Sequence, residues 1–229
     1  MKLAIMQPYF FPYIGYWQLI NAVDTFVIFD DVNFIKKGYI NRNSILLNGK
    51  PHIFTLELIG ASQNKLINEI EIGSNSRKIL KTIEMSYKKS PYFYIVFPII
   101  KDILDNKEKN LAKFIGHSLE KISNYLEMDT KFIYSSDIRK NNSLKAQDKI
   151  LEIASLLKST DYINAIDGQK FYDKERFSQE NIQLNFLDTE ITEYKQFENE
   201  FESHLSIVDI LMFNSIEDIN NILSKFKLI

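Results

Sequence analysis

The chain has 229 residues, of which 45% are hydrophobic and 25% charged, and its formal net charge at pH 7 is -2. This length allows a buried core, and the near-neutral charge argues against nucleic acid or an anionic membrane as the main partner. The sequence contains no cysteine, which excludes disulfides, thiolate nucleophiles and thiolate-bound metals. No apolar run approaches the length of a membrane span, so we expect no membrane insertion and a cytoplasmic location.

The N-terminal region predicts a βαβ unit. Apolar runs at residues 2–6 and 25–30 are typical of buried strands, and residues 14–23 between them carry apolar side chains at helical spacing. A strand, a helix and a second strand in this order favour parallel pairing of the two strands.

The later elements continue this alternation after two insertions. Asn48-Gly49 separates two β-rich runs within residues 43–58, and this pair favours a hairpin turn because both residues tolerate positive φ. Residues 75–127 are predicted to be mostly helical. Further strands are expected at residues 131–135, 162–166 and 182–187, with helices at residues 143–158, 205–213 and 216–226.

These elements predict an α/β fold with a Rossmann-like, doubly wound, mainly parallel sheet, a β-hairpin insertion and a helical insertion. We expect a single domain of residues 1–229 with the helical insertion 75–127 inside it, because helices separate nearly all the strands. In such a sheet, ligands bind beyond the carboxyl ends of the strands, near a switch in strand order.

The loop after the first strand, QPYFFPYIGY, is the first candidate site segment. Its prolines restrict φ, its glycine permits close approach, and its tyrosines offer flat faces with hydroxyl tips. The following helix N-terminus adds amide donors, which suits a nucleotide or a sugar nucleotide; the alternative is an aromatic mini-core that only packs the loop. The predicted substrate-binding residues here are Gln7, Tyr9, Tyr13, Gly15 and Tyr16.

The stretch DDVNFIKKGYINRN after the second strand is the next candidate. Asp30 and Asp31 are predicted catalytic residues, because carboxylates accept sugar hydroxyls, bind Mg²⁺ or act as a base. The cationic side chains suit phosphate or carboxylate, and the asparagine amides offer donors and acceptors; the alternative is a polar turn with solvated charges. The predicted substrate-binding residues of this stretch are Lys36, Lys37, Asn41, Arg42 and Asn43.

Residues nearer the C-terminus complete the predicted site. Gly168 lies in AIDGQKFY, directly after a predicted strand. His204 is the acid/base candidate among the three histidines. Ser206 and Asp209 share one helical face, from which they either reach a pocket or cap and pair within the helix. No histidine or carboxylate spacing is typical of zinc, so we expect no dedicated metal.

The first loop resembles the corresponding turn of adenylyl-transferring enzymes and pantothenate-synthetase-like ligases. In those proteins a His-x-Gly-His element binds the nucleotide phosphates, and here Tyr13-Ile14-Gly15-Tyr16 keeps the glycine and is followed by a helix and a strand. Tyrosines replace both histidines, so the resemblance implies the fold more than the reaction.

The segments MQPYFFPYIGYWQLI and FVIFDDVNFIKKGYINRN resemble the WbqC-like protein family, found among genes for bacterial O-antigen and other surface polysaccharides. The resemblance continues through FIYSSDI, YINAIDGQKFY and LSIVDILMFN, and Tyr39 stands where the family commonly has an aromatic residue. It implies a role in making or decorating a sugar of a surface polysaccharide such as lipopolysaccharide.

We therefore expect a transferase that moves an acyl or aminoacyl group onto a nucleotide-linked amino sugar, with an activated acyl or aminoacyl donor. Asp30 or Asp31 would act as the base, while Arg42 and Lys36 would hold a phosphate or the developing oxyanion. One alternative is a nucleotidyltransferase or adenylate-forming amide ligase that uses ATP with Mg²⁺. Another is a non-catalytic scaffold that binds a sugar nucleotide. The sequence leaves a homodimer, the sugar and the catalytic base open.

Overall fold

A six-stranded sheet organises the fold in the computed structural model, which describes residues 1–198 and 200–229. Its strands are β1 (Lys2–Met6), β2 (Thr25–Ile28), β7 (Lys131–Tyr134), β8 (Asp161–Ala165), β9 (Gln183–Thr189) and β10 (Phe226–Leu228). The spatial order is β10-β9-β8-β1-β2-β7, and all neighbours pair in parallel except β10 with β9. This is the mainly parallel, Rossmann-like α/β architecture that the sequence predicts.

Two short antiparallel ladders lie between β2 and β7 in the chain. They pair β3 (Arg42–Leu47) with β4 (Lys50–Thr55), and β5 (Leu58–Ile59) with β6 (Glu71–Ile72). The turn of the first ladder is Asn48-Gly49, and both residues have positive φ, 52° and 73°. The predicted hairpin is therefore present, with the turn chemistry expected of this pair.

Eight α-helices accompany the strands in the described residues. They are α1 (Ile14–Asn21), α2 (Ser76–Tyr87), α3 (Phe93–Leu104), α4 (Leu111–Tyr125), α5 (Ala146–Leu156), α6 (Lys174–Gln179), α7 (Ile207–Phe213) and α8 (Ile216–Leu223). The segment predicted as a helical insertion contains α2, α3 and α4. None of the helices in the described ranges has both the length and the apolar character needed to cross a bilayer.

Helices cover both faces of the sheet, and β1 shows how. Leu3 and Ile5 point to the face covered by α5 and α6, while Ala4 between them belongs to the larger core on the opposite face, with α1. Alternate side chains of a strand point to opposite faces. A strand buried on both faces must be apolar along its buried part, which explains the apolar run LAIM after the exposed Lys2.

The C-terminal residues differ from the sequence prediction. The expected final helix, residues 216–226, ends at Leu223, and Phe226–Leu228 instead forms β10 against the edge of β9. Gln18 on α1 fixes this change of direction, because its Nε2 donates to the carbonyls of Ile222 and Lys225 at 2.9 Å each. A tertiary contact from the far end of the chain therefore overrides the local helical pattern.

Candidate functional site

The sheet reverses its winding between β1 and β8. From β1 the chain proceeds through α1 to β2 on one side, whereas β8 and β9 lie on the other side. The carboxyl ends of β1 and β8 therefore border a switch point, where open α/β sheets bind ligands. The tyrosine-rich loop after β1 and the turn Ile166–Phe171 after β8 both lie at this position.

A cleft of two adjoining compartments lies at the switch point. The strand-end compartment, of about 470 Å³, is lined by Met6, Gln7, Gly15, Tyr16, Asn164, Gly168, Phe171 and Tyr172, among others. The His204 compartment, of about 360 Å³, is lined by Pro12, Asn43, Ile166, Asp188, Thr189, Ile191 and His204. Four residues line both compartments, and they are Tyr9, Tyr13, Tyr39 and Asp167.

Hydrogen bonds and ring contacts hold the tyrosine loop against α1. The Tyr16 hydroxyl donates to the Gln7 carbonyl at 2.8 Å, and the Trp17 indole donates to the Pro12 carbonyl at 3.1 Å. The ring of Tyr9 lies 5.4 Å from that of Tyr16, centroid to centroid. These contacts restrain a loop whose prolines already limit its conformations, so the wall of the cleft is formed before any ligand binds.

The two phenylalanines of the loop explain part of its aromatic content. Phe10 and Phe11 are fully buried and pack on each other with ring centroids 4.5 Å apart. Phe11 has a φ of 45°, a left-handed conformation that is costly for a bulky residue and persists only where its surroundings enforce it. The loop is therefore both the aromatic mini-core of the alternative prediction and the wall of a cleft.

Asn43 and Ser206 hold Phe11 in this conformation. Asn43 Nδ2 donates to the carbonyls of Phe10 and Phe11, at 3.2 and 2.8 Å, and Ser206 Oγ donates to the Phe11 carbonyl at 2.8 Å. Asn43 also lines the His204 compartment, whereas Ser206 is fully buried and caps α7 by accepting from the Val208 amide. The structure thus shows both predicted binding residues holding the loop.

Gly15 is closely surrounded by two side chains. A Cβ at this position would lie 2.5 Å from both Thr189 Oγ1 and the Tyr13 hydroxyl oxygen. Burial raises the pKa of the Tyr13 hydroxyl, the bond with Thr189 lowers it, and the nearby Asp167 carboxylate raises it, with a net upward shift. Tyr13 therefore keeps its proton at neutral pH and presents a hydrogen-bond donor to the cleft.

The charge of the cleft is opposite to the one that the sequence predicts. Asp167 lines both compartments and Asp188 lines the His204 compartment, but no lysine or arginine of the described residues lines either. The cleft interior therefore suits neutral hydroxyls and cationic amines rather than phosphate.

The predicted cations lie elsewhere. Lys36 and Lys37 are exposed in the loop that carries Tyr39. The Arg42 guanidinium donates to the carbonyls of Lys37 and Gly38, the latter at 3.2 Å, and thereby braces that loop from outside the cleft. Asn41 donates to the Leu56 carbonyl at 2.9 Å. Of the Asn-Arg-Asn stretch, only Asn43 lines a compartment.

The Asp30 carboxylate accepts hydrogen bonds from neighbouring protein groups. It is buried, and it accepts from the Ser136 amide at 2.9 Å, the Ser136 hydroxyl at 2.6 Å and Asn68 Nδ2 at 3.1 Å. Hence Asp30 ties the end of β2 to the turn after β7. It lines neither compartment, and its contacts fit a structural role.

Asp31 lies in an ion cluster. Its Oδ2 is 2.7 Å from Lys140 Nζ and 3.1 Å from Lys149 Nζ, and both lysine side chains are almost fully buried. Burial works to raise the pKa of the Asp31 carboxyl, but Lys140, Ser135 and Lys149 together outweigh it and hold the pKa below its ordinary value. A carboxylate held ionised by two cations is a weak base, and Asp31 also lies outside both compartments.

Asp209 belongs to a buried network. Its carboxylate accepts from the Tyr87 hydroxyl at 2.6 Å and from the Tyr194 hydroxyl and Gln196 Nε2 at 2.7 Å each. Burial raises the pKa of Asp209, and these three donors offset only part of that effect. The network holds the segment before His204 onto α7 and does not line the cleft.

The structure brings together eight of the predicted site residues, which are Gln7, Tyr9, Tyr13, Gly15, Tyr16, Asn43, Gly168 and His204. His204 is exposed, has a φ of 58°, and its ring lies 6.1 Å from that of Tyr13. Sequence reasoning missed Asp167, Asp188 and Thr189. Asp167 could have been predicted, since it directly precedes Gly168 in a segment that the sequence already places at the site.

Comparison with known proteins gives the following. The sequence model described as the WbqC-like protein family matches residues 7–221. A protein of Mycobacterium tuberculosis (strain ATCC 25618 / H37Rv), described as "Uncharacterized protein Rv1507c", is 25% identical over 215 residues, which cover 92% of each chain. No solved structure matches at a significant level. Within the described ranges, no group of three or more histidine or carboxylate residues could hold a metal ion.

Proposed function

Since the chain belongs to the WbqC-like protein family, we propose that it is a transferase of bacterial surface-polysaccharide biosynthesis. Its substrate is a nucleotide-linked amino sugar, and it transfers an acyl or aminoacyl group to the amine of that sugar. The observation that best supports this proposal is the cleft at the switch point. Its walls are tyrosines, one carboxylate is common to both compartments, and no cation among the described residues lines it.

The cleft chemistry supports an amino sugar in particular. Flat tyrosine faces such as those of Tyr9 and Tyr39 pack against sugar rings, and their hydroxyls bond with sugar hydroxyls. A carboxylate in a partly enclosed cleft favours a bound ammonium group over a neutral or acylated one. Phosphates would therefore lie outside the cleft, where the exposed Lys36, Lys37 and Lys170 offer positive charge. Lys170 Nζ lies 5.1 Å from the ring centroid of Phe171, a lining residue.

The nucleotidyl-transfer alternative has less support. Tyr16 stands at the position of the second histidine of His-x-Gly-His, but it is buried and its hydroxyl already donates to the Gln7 carbonyl. The aspartates available for Mg²⁺ in that hypothesis, Asp30 and Asp31, are bound by protein groups outside the cleft. Nucleotidyl transfer would need cations or histidines around the phosphates.

A binding measurement tests the proposal. UDP-glucosamine, UDP-N-acetylglucosamine and UDP-glucose differ only at the 2-position of the sugar, so calorimetry with the three isolates the contribution of the amine. We expect UDP-glucosamine to bind at least tenfold more tightly than the other two, and mass spectrometry to show its acylation with a panel of acyl and aminoacyl thioesters. Equal affinity for all three, or no binding, would contradict the proposal.

Tyr39→Ala tests whether the cleft is the binding site. The Tyr39 side chain is 59% exposed, so its removal should leave the unfolding free energy nearly unchanged. It lines both compartments and lies 6.1 Å from the ring of Tyr9. We expect the variant to fold normally and to lose about tenfold in affinity for UDP-glucosamine. Tyr94→Ala, on the far helix α3 with its side chain 85% exposed, is the control and should bind normally.

A further inference from the structure

We propose that Asp167 is the catalytic base, contacting the amine of the sugar where the two compartments meet and accepting its proton during transfer. The inference rests on the proposed function, which it deepens by assigning the sugar and the transferred group to different compartments. The sugar ring occupies the strand-end compartment, and the incoming acyl or aminoacyl group occupies the His204 compartment.

The position of Asp167 carries this assignment. The two compartments share only three tyrosines and this one carboxylate among their lining residues. A transfer reaction needs its nucleophile at the boundary between the two reactants, with a proton acceptor beside it. Tyr13 keeps its proton, because burial and the neighbouring Asp167 raise the pKa of its hydroxyl. Asp167 is therefore the one carboxylate at this boundary, and a carboxylate is a side chain that can act as a general base.

Asp167 is an exposed residue on a turn whose backbone lies close to the end of β8. It follows β8 by two residues, in the turn Ile166–Phe171. Gly168 packs so closely there that a Cβ would lie 2.8 Å from Asn164 Oδ1, and Asn164 Nδ2 in turn donates to the Tyr162 hydroxyl at 2.8 Å. These contacts hold the backbone next to Asp167 at the carboxyl end of a central strand, and the exposed carboxylate is accessible to a substrate in the cleft.

The other ionisable candidates are less suited to this role. Asp30, Asp31 and Asp209 each accept hydrogen bonds from protein groups and line neither compartment. Asp188 and His204 line only the His204 compartment. There they contact the transferred group rather than the amine, in the arrangement proposed here.

The step balances with an acyl or aminoacyl thioester as the second substrate. The amine binds as an ammonium group and first gives one proton to solvent. The lone pair of the resulting neutral amine then attacks the thioester carbonyl carbon, so that a C–N bond forms and the C–S bond breaks. The electron pair of the broken bond leaves on sulfur, and the proton lost by nitrogen passes to Asp167. Asp167 then releases that proton to the departing thiolate, which yields an amide and a free thiol with no oxidation or reduction.

Asp167→Asn tests the proposal, because asparagine keeps the size of the side chain but cannot accept the proton. We expect kcat to fall by 10²- to 10⁴-fold and the variant to lose the preference for UDP-glucosamine over UDP-N-acetylglucosamine. Asp167→Glu should restore part of kcat. Glu180→Gln is the control for charge, since it removes one exposed carboxylate after α6, away from the cleft.

The outcomes separate this inference from the proposed function. If the unaltered protein neither prefers the free amine nor acylates it, the proposed function fails, and the role of Asp167 fails with it. If the unaltered protein does both and Asp167→Asn does both equally well, the proposed function stands and the role of Asp167 is refuted.

Discussion

Asn43→Ala should destabilise the protein by about 3 kcal/mol through the tyrosine loop. The Asn43 side chain is 3% exposed and donates to the carbonyls of Phe10 and Phe11. Each such bond contributes about 0.5–1.5 kcal/mol, and a buried carbonyl left without a donor costs about 1–3 kcal/mol. The Phe11 carbonyl would keep Ser206 Oγ, so the Phe10 carbonyl carries most of the penalty. Asn43 Oδ1 also accepts from the Ser44 amide at 2.8 Å, and that bond would be lost as well.

Urea unfolding followed by tryptophan fluorescence measures this effect directly. Trp17 is the single tryptophan of the sequence, and its indole donates to the Pro12 carbonyl in the same loop. Asn41→Ala is the matched control, because Asn41 is half-buried and donates only to the Leu56 carbonyl; we expect it to cost about 1 kcal/mol. If Asn43→Ala costs no more than Asn41→Ala, the loop is not held by Asn43 and the reasoning is wrong.

Three further predictions follow from contacts around the cleft and the sheet ends. Gly15→Ala should abolish UDP-glucosamine binding in calorimetry, because the new Cβ displaces the Tyr13 ring. Gly38→Ala is the control and should bind normally, since its Cβ would meet nothing closer than 3.6 Å. Equal binding by both variants would contradict the close packing around Gly15. The pKa of Asp209 is raised in the folded protein. Its contribution to the unfolding free energy is therefore largest below about pH 4 and declines as the pH rises through the folded pKa. Urea titrations at several pH values should show that Asp209→Asn removes this decline. The pKa of Asp31 is lowered, so its stabilisation is present above about pH 4 and is lost as the pH falls through the folded pKa. Lys140→Met should cost about 3 kcal/mol at pH 7 and should flatten that loss of stability in acid. An unchanged acid profile would contradict the ion cluster.

Most of the sheet could be predicted from the sequence. The strands β1, β2, β8 and β9 are short apolar runs separated by helical patterns, and burial on both faces imposes that pattern. The final strand β10 could not be predicted, because its first residue, Phe226, continues the apolar spacing of Ile219, Ile222 and Leu223 on α8. What makes it a strand is the edge of β9 and the two hydrogen bonds from Gln18, which is distant in the sequence.

The site was predicted less completely, for a related reason. The tyrosine loop and Gly168 follow strands directly, so topology alone places them at the switch point. The partners of the other polar residues lie far away in the chain. Asp31 meets Lys140 and Lys149, over a hundred residues later, and no local pattern shows that its charge is already compensated. Arg42 turns its guanidinium back to carbonyls of its own loop, which a sequence cannot distinguish from an arginine that awaits a phosphate.

The almost complete burial of α1 constrains how ligand choice can change in evolution. Seven of its eight residues are buried, so substitutions that reshape the back wall of the cleft would first unfold the protein. Variation that adapts the cleft to another ligand is confined to its outer edge, where Phe171 and Ile191 are each more than one-third exposed. Related proteins that handle different substrates should therefore diverge at that edge while retaining the same helix behind it.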